Sequence, residues 1–274
     1  MCGQFSSWSR DVPLLDPSFG DTGQMFDLWT YLGFLAAQTS TISLGSASAV
    51  LPLRHPIETA KSAASVDQLS NGRFLMGIAS GDRQVEFPAF GIDYVNRGKR
   101  LRESLTIIKH LTQENFPTIK SPLGWIEGVD LVPKPKNGKL PVMMTGLGHQ
   151  ELDWIAANAD GWLFYTLPLE QQELNIKRWR RLTSNDQGVY KPFAQATYID
   201  LVENPKAPAV PIHQGFRLGR DALMEYLKAW QQIGIDHLMI NFKLSTRPIT
   251  EVVEELGEYV LPHFPPNGAT DSNI

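Results

Sequence analysis

Ser65-Val66-Asp67-Gln68-Leu69-Ser70-Asn71-Gly72-Arg73-Phe74-Leu75-Met76-Gly77-Ile78-Ala79-Ser80-Gly81-Asp82 passes from a helix end through a short turn into an apolar strand. Asn71-Gly72 supplies residues that tolerate the left-handed backbone on which helices end. Phe74 to Ala79 is continuously apolar rather than alternating, the mark of a strand buried on both faces. The same order of helix, polar turn and apolar strand returns at residues 37–45, 157–164 and 233–242, with different residues each time. That alternation predicts a parallel α/β sheet, either open and doubly wound or closed into a barrel.

Working outward, strands are expected near 5–10, 41–48, 73–80, 141–146, 161–166, 194–202 and 236–242. Helices are expected near 23–38, 56–69, 95–112, 148–158, 168–182, 220–233 and 249–260. Pro56 suits the first turn of its helix, where its missing N–H is not needed. The Pro-, Gly- and Lys-rich residues 115–140 read as an irregular surface excursion inside a single domain spanning 1–274, and residues 265–274 as a frayed tail.

With 274 residues, 42% hydrophobic and 20% charged, the chain can bury a substantial core. Its formal charge is −4, with acids and bases mixed, so no basic stripe marks a nucleic-acid or membrane partner. Cys2 is the single cysteine, which excludes an intrachain disulfide and suits a reducing cytoplasm. The opening MCGQFSSWSR lacks the basic start and apolar run of a leader, and no apolar stretch approaches the ~20 residues of a membrane helix. The expectation is a cytoplasmic protein without a membrane anchor.

Several catalytic signatures fail. Gly77-Ile78-Ala79-Ser80-Gly81 places its serine fourth, whereas the hydrolase elbow G-x-S-x-G needs it third. Neither a G-x-x-x-x-G-K-[ST] loop nor a G-x-G-x-x-G after a strand occurs. The six histidines show no H-x-x-x-H spacing, so no metal site is expected.

In parallel α/β folds, ligands sit at the carboxyl ends of strands. Those ends here carry Arg10-Asp11, Ser46-Ala47-Ser48 leading to Arg54-His55, Ser80-Gly81-Asp82, and Thr145-Gly146-Leu147-Gly148-His149-Gln150. Small residues let a flat ligand approach the backbone, and Arg10, Asp11, Arg54, His55 and Asp82 supply charge around its edge. A Gly-rich turn entering a helix can hold a phosphate, although the plainer reading of Thr145–Gln150 is an ordinary strand-to-helix turn. Arg97 and Arg100, with Glu103, fit either a solvated helix face or a phosphate clamp.

Leu53-Arg54-His55-Pro56, the helix ending Asp67-Gln68-Leu69-Ser70-Asn71-Gly72-Arg73, and Gly77-Ile78-Ala79-Ser80-Gly81 together resemble the bacterial luciferase-like monooxygenase family. Glu86-Phe87-Pro88-Ala89-Phe90-Gly91, the Arg-rich helix from Arg97, and Ala156-Ala157-Asn158-Ala159-Asp160-Gly161-Trp162 extend the match in order, from about Trp8 to Phe264. The resemblance implies a TIM-type (β/α)8 barrel that binds FMN, or in some branches a deazaflavin coenzyme, at its strand ends. The seven strands read here and the early first strand imply a barrel without the first β/α unit.

By the same resemblance, Thr145, Gly146, Leu147, Gly148, His149 and Gln150 match the turn that holds the flavin phosphate, and Arg100 lies in the helix that lends it a cation. Ser46, Ala47, Ser48, Ser80, Gly81 and Asp82 match the strand ends facing the isoalloxazine. Arg10, Asp11, Arg54 and His55 are the candidate catalytic residues, orienting substrate or moving a proton. Where luciferase carries a His-His pair, this chain has Arg10-Asp11, and Ala79 stands at luciferase's reactive cysteine. The resemblance therefore implies a non-luminescent relative that uses reduced FMN and oxygen on a small organic substrate. A separate flavin reductase and a homodimer packed through the early helices complete the expectation.

Overall fold

The computed structural model describes residues 6–19, 24–184 and 189–264; the expected tail at 265–274 lies outside them. The chain groups into two compact units, Phe5–Asp160 and Gly161–Ile274.

The first unit runs β1 (Ser6–Ser9), α1 (Leu28–Gln38), β2 (Ser43–Ser46), β3 (Ala49–Val50), α2 (Pro56–Leu69) and β4 (Phe74–Ala79). It continues with α3 (Glu86–Ala89), α4 (Arg97–Gln113), β5 (Ile119–Ser121), β6 (Gly124–Ile126), β7 (Val142–Thr145) and α5 (Leu152–Asn158). β1 pairs in parallel with β2, from Ser6 opposite Ser43 to Ser9 opposite Ser46. β2 and β3 each pair in parallel with β4, and β4 with β7, so all of these strands end toward one edge. Leu44, Phe74, Met76 and Ile78 on the strands and Leu28, Leu32 and Leu101 on the helices are fully buried. Each such side chain stabilises the unit by about 1.5–3 kcal/mol.

The helix starts follow from their caps. α1 begins at Leu28 rather than near 23, because Asp27 Oδ1 accepts the Thr30 N–H at 3.0 Å and fixes the first turn there. α2 opens on Pro56, with His55 as its N-cap.

Its other end explains the opening stretch of sequence. Asn71 and Gly72 take φ of 61° and 82°, outside the right-handed helix. The Gly72 N–H and Ser70 Oγ both donate to the Asp67 carbonyl, at 2.8 and 3.1 Å. Asp67 Oδ2 accepts the Lys136 N–H at 2.7 Å. Arg73 then donates to Ser70 O (2.7 Å), Ile42 O (2.6 Å), Thr39 O (2.8 Å), Ala36 O (3.2 Å) and Thr39 Oγ1 (2.9 Å). One guanidinium thus satisfies carbonyls at the ends of both α1 and α2.

The expected irregular excursion holds a small antiparallel hairpin, with Ile119 opposite Ile126. Strands of three residues are too short to leave a periodic signal.

The second unit runs β8 (Gly161–Tyr165), α6 (Leu169–Thr183), β9 (Phe193–Leu201), β10 (Val210–Ile212), β11 (Gly215–Leu218), α7 (Arg220–Gln232), β12 (His237–Asn241) and α8 (Ile249–Tyr259). β9 is the organising strand, pairing in parallel with β8, β11 and β12. The hairpin of β10 and β11 adds strands beyond the seven expected. Gly215 permits it: a Cβ there would lie 1.8 Å from the Tyr198 carbonyl oxygen. Trp162 packs against Trp179 and Phe193 at ring-centroid distances of 5.7 and 5.3 Å.

Two aspartates fasten loops in this unit. Fully buried Asp200 accepts from Thr246 N and Oγ1 (both 2.9 Å) and from Arg217 Nε (2.6 Å). Asp236 accepts from Phe193 N (2.7 Å) and Arg180 Nη2 (2.5 Å) and also bonds the Tyr190 hydroxyl. Burial and the Asp236 carboxylate push the Tyr190 phenol up to about 12. Among the described residues no helix is long and apolar enough to cross a membrane.

Candidate active site

The first unit carries every candidate site residue: Arg97 and Arg100 on α4, and the rest at or beyond the carboxyl ends of β1, β2, β3, β4 and β7. After β1, Asp11 is buried and accepts the Val50 N–H at 3.0 Å. It also receives the Arg54 guanidinium, with Nε to Oδ2 at 2.8 Å and Nη2 to Oδ1 at 2.5 Å. Arg54 is held charged by that hydrogen-bonded partner against the cost of burial. Arg10 sits half-buried directly beside this pair in the chain. His55 is exposed, and its Nδ1 accepts the Ile57 N–H at 3.3 Å.

β2 and β4 meet closely. A Cβ on Gly77 would lie 1.9 Å from the Ser46 carbonyl oxygen, and Ser46 Oγ donates to Gly77 O at 2.8 Å. The Ala47–Ser48 peptide is cis, and the Ala47 N–H donates to Ser9 O at 2.7 Å. The Ser48 and Thr145 hydroxyls hydrogen-bond to each other, joining the ends of β2 and β7. Ser80 is buried and Asp82 exposed. Gly81 between them has φ +84°, with space for a Cβ filled by Val50 Cγ1 at 2.8 Å and Phe87 Cζ at 3.0 Å.

Beyond β7 the chain makes a turn rather than entering a helix at once. Gly146, Gly148 and His149 have φ of 61°, 57° and 59°. Residues in that region cannot continue a right-handed helix, so α5 starts at Leu152 instead of near 148. The turn is stapled to α4. Buried Gln150 donates through Nε2 to Gly98 O (2.9 Å) and accepts from Arg102 Nη1 at 3.0 Å. Gly98 is required by this contact, because a Cβ there would lie 2.6 Å from His149 Cβ. Burial and the neighbouring Arg97 charge hold the His149 imidazole below its usual range, favouring the neutral ring.

Arg100, the expected cation, donates through Nε to Pro52 O at 2.8 Å. Arg97 and Arg102 are the arginines bonded to the turn, at His149 and Gln150. Sequence reasoning also passed over Arg83 and Glu86, an ion pair at 3.8 Å that is almost wholly buried. Burial pushes the Glu86 carboxyl up; Arg83 opposes this, while Asp11 and Asp82 add to it. The stretch Gly81-Asp82-Arg83-Gln84-Val85-Glu86 reads as a polar surface loop, and no local signal reveals the burial.

The family model for luciferase-like monooxygenases matches residues 14–197, a span that crosses from one compact unit into the other. The chain is 29% identical over 221 residues to the alkanal monooxygenase alpha chain of Aliivibrio fischeri, covering 77% of this chain and 57% of that one. It is 39% identical over 84 residues to the oxygenase component of a flavin-dependent trigonelline monooxygenase of Acinetobacter baylyi, covering 30% of this chain and 23% of that one. The chain spans about half the length of the curated relatives it matches. Its fold is similar to that of a coenzyme F420 dependent tetrahydromethanopterin reductase from Methanopyrus kandleri, with a TM-score of 0.75 at 15% identity over 95% of this chain and 91% of the other. That likeness shows an α/β fold of the luciferase-like barrel class, and with the family match it gives the conclusion that this chain belongs to the luciferase-like monooxygenase family.

Proposed function

We propose that the protein is an FMN-dependent oxidoreductase, a monooxygenase that takes reduced FMN from a separate reductase and acts with oxygen on a small organic substrate. The observation that carries this reading is the joining of three strand ends: Ser48 to Thr145 through their hydroxyls, and Gly81 to His149 through Arg97. The residues present fit a flavin. Ser46, Ala47, Ser48, Ser80 and Gly81 are small, and a Cβ on Gly81 would crowd Val50 Cγ1 and Phe87 Cζ. The turn Thr145–Gln150 is fixed to a helix rich in arginine. Bound FMN would supply the redox chemistry with oxygen.

The chain's own residues would bind, orient and exclude water. Ser48, Ser80 and Thr145 offer hydroxyls to the ring edge, with Asp82 beside them, and Arg97, Arg100 and the turn after β7 offer donors to the phosphate. Asp11 acts through Arg54: the fork fixes the guanidinium that would orient substrate, with Arg10 next to it. His55, whose Nδ1 serves as the helix cap, would pass a proton through Nε2. A cytoplasmic homodimer built through α1 and α2 belongs to the same reading, supported by exposed Phe34 and Ile57 on those helices.

Titration of the protein with oxidised and with photoreduced FMN, followed by flavin fluorescence, is the test; binding of neither form refutes the reading. Oxygen uptake with reduced FMN must differ from that of free reduced FMN. A protein that binds flavin yet alters neither oxygen chemistry nor hydride transfer would be a non-catalytic flavin-binding relative.

A second reading, hydride transfer with a deazaflavin coenzyme, is favoured by the likeness over 95% of this chain to an F420 dependent reductase. Competition between FMN and the deazaflavin coenzyme separates the two.

A further inference from the structure

β5 is a strand with one neighbour. Among the described residues it pairs only with β6, antiparallel from Ile119 opposite Ile126 to Ser121 opposite Gly124. Along its other edge the backbone groups of alternate residues point away from β6, with no ladder partner.

A groove of about 390 Å³ runs along that edge. Residues 118–121 all line it, and no residue of β6 does. Successive side chains of a strand point to opposite faces, so a groove touched by four in a row lies beside the strand rather than above it. The opposite wall is one stripe of α4, made by Arg102, Glu103, Thr106, Ile107 and His110. Ile107 and Ile119, one from each wall, are buried and apolar. A free strand edge beside a helix suits an extended peptide, which binds there as an added strand.

The charges select the peptide. Glu103 faces Lys99 at 3.9 Å, and His110 bonds Glu114 at 2.7 Å. Arg102 and Lys120 are exposed and, among the described residues, meet no carboxylate. Arg102 donates to the Gln150 amide oxygen at 3.0 Å, and the Lys120 ammonium lies 5.8 Å from the centre of the Trp125 ring. The unbalanced charge is therefore positive on both walls. Ile119 and Lys120 point to opposite faces of β5, so a matching segment alternates apolar with acidic residues.

A second copy of this chain fits the edge poorly. Antiparallel pairing of two β5 edges about their middle residue sets Lys120 opposite Lys120, and like charges directly opposite are destabilising. The same lysine attracts a carboxylate.

We propose that the groove between α4 and the free edge of β5 is a docking site for an extended acidic segment of a partner protein, which adds a third strand to β5 and β6. The segment's backbone bonds to β5, its apolar side chains lie on the Ile119 face, and its carboxylates lie on the Lys120 face. This site is independent of the flavin reading.

The probe is the capped pentapeptide EVEVE, titrated by calorimetry against wild type and K120E, with capped KVKVK as its charge-reversed control. Two further forms of EVEVE carry N-methyl groups, one on the amides of both valines and one on the amides of the three glutamates. Wild type is expected to bind EVEVE at least about tenfold more tightly than KVKVK, and K120E to bring the two within about threefold. In an added strand only alternate amides face β5, so one methylated form loses at least about tenfold in affinity and the other less than about threefold.

Wild type that binds neither EVEVE nor KVKVK, or both equally, overturns the proposal. An unchanged preference in K120E does the same, because it moves binding off this groove. Equal loss from the two methylated forms, or no loss from either, leaves a plain anion site without strand addition and overturns it as well. Should thermal melting show that K120E does not fold, K120Q carries the test: at least about a threefold loss of preference supports the proposal and an unchanged preference overturns it.

Discussion

Arg54 grips Asp11 with both prongs of its guanidinium, and Asp11 returns the contact while also accepting the Val50 N–H. The carboxylate is 3% exposed and the arginine 24%, so the pair spans the boundary between core and site. Asp11→Asn leaves a half-buried charge and breaks the fork. It is expected to cost about 3 kcal/mol, the low end for a buried pair because Arg54 keeps part of its surface in water. Urea denaturation measures the loss, and Arg54→Lys, which cannot fork, is expected to recover little of the pairing.

Gly77 and Gly81 on one strand end are expected to answer differently to alanine. At Gly77 the new Cβ meets backbone, the Ser46 carbonyl, at 1.9 Å. That forces β2 from β4, with a loss of at least about 3 kcal/mol. At Gly81 the backbone is left-handed and the nearest atoms belong to side chains, so Gly81→Ala is expected to cost about 1–2 kcal/mol. Thermal melts of the two variants give the order; a milder Gly77→Ala would contradict the close approach.

His149 is expected to titrate below its ordinary value of 6.5, because burial and Arg97 both oppose the imidazolium. The neutral ring is the folded form's preference, so this site's contribution to stability is full above about 6.5 and lost as pH falls below it. Arg97→Gln removes one cause and is expected to move the titration upward. An NMR titration of the His149 ring reads both values, and a midpoint above 6.5 in wild type would refute the assignment.

Asp200 gives the opposite limb. Burial alone would raise its carboxyl, but the Thr246 and Arg217 hydrogen bonds outweigh it and hold the group below 3.8. Its stabilisation is present above that value and is lost as pH falls through the lower folded value. Asp200→Asn is expected to be less stable at neutral pH and to show a flatter acid limb. Chemical denaturation of both proteins between neutral pH and about pH 2.5 reads the difference.

The regular elements were legible because their signals are local. α2 occupies the residues that its proline start and Asn-Gly end mark, and β4, β7 and β8, which are mostly buried, stand out as apolar runs. The hairpins of β5 with β6 and of β10 with β11 left too few residues for a period.

At the site, small residues at strand ends were legible from topology. The pairing of Ser48 with Thr145, 97 residues apart, was not. Nor was it legible that Arg97 meets the turn after β7 while Arg100, one helical turn along α4, donates to Pro52 O. The sequence presents Asp11 and Arg54 as separate charges; only the fold makes them one group.

Arg73 has a consequence for how such proteins are sorted. It closes the run that carries the family resemblance, and its bonds go to three helix-end carbonyls, the Ile42 carbonyl just before β2 and the Thr39 hydroxyl. It works as a rivet between consecutive helices, at the amino end of β4, while the candidate chemistry gathers at the carboxyl end. A search keyed on that run selects for this joint, and the joint by itself names no reaction. Under the function proposed above, the letters that bear on reaction lie elsewhere, at Ser46–Ser48, Ser80–Asp82, Arg97 and Thr145–Gln150.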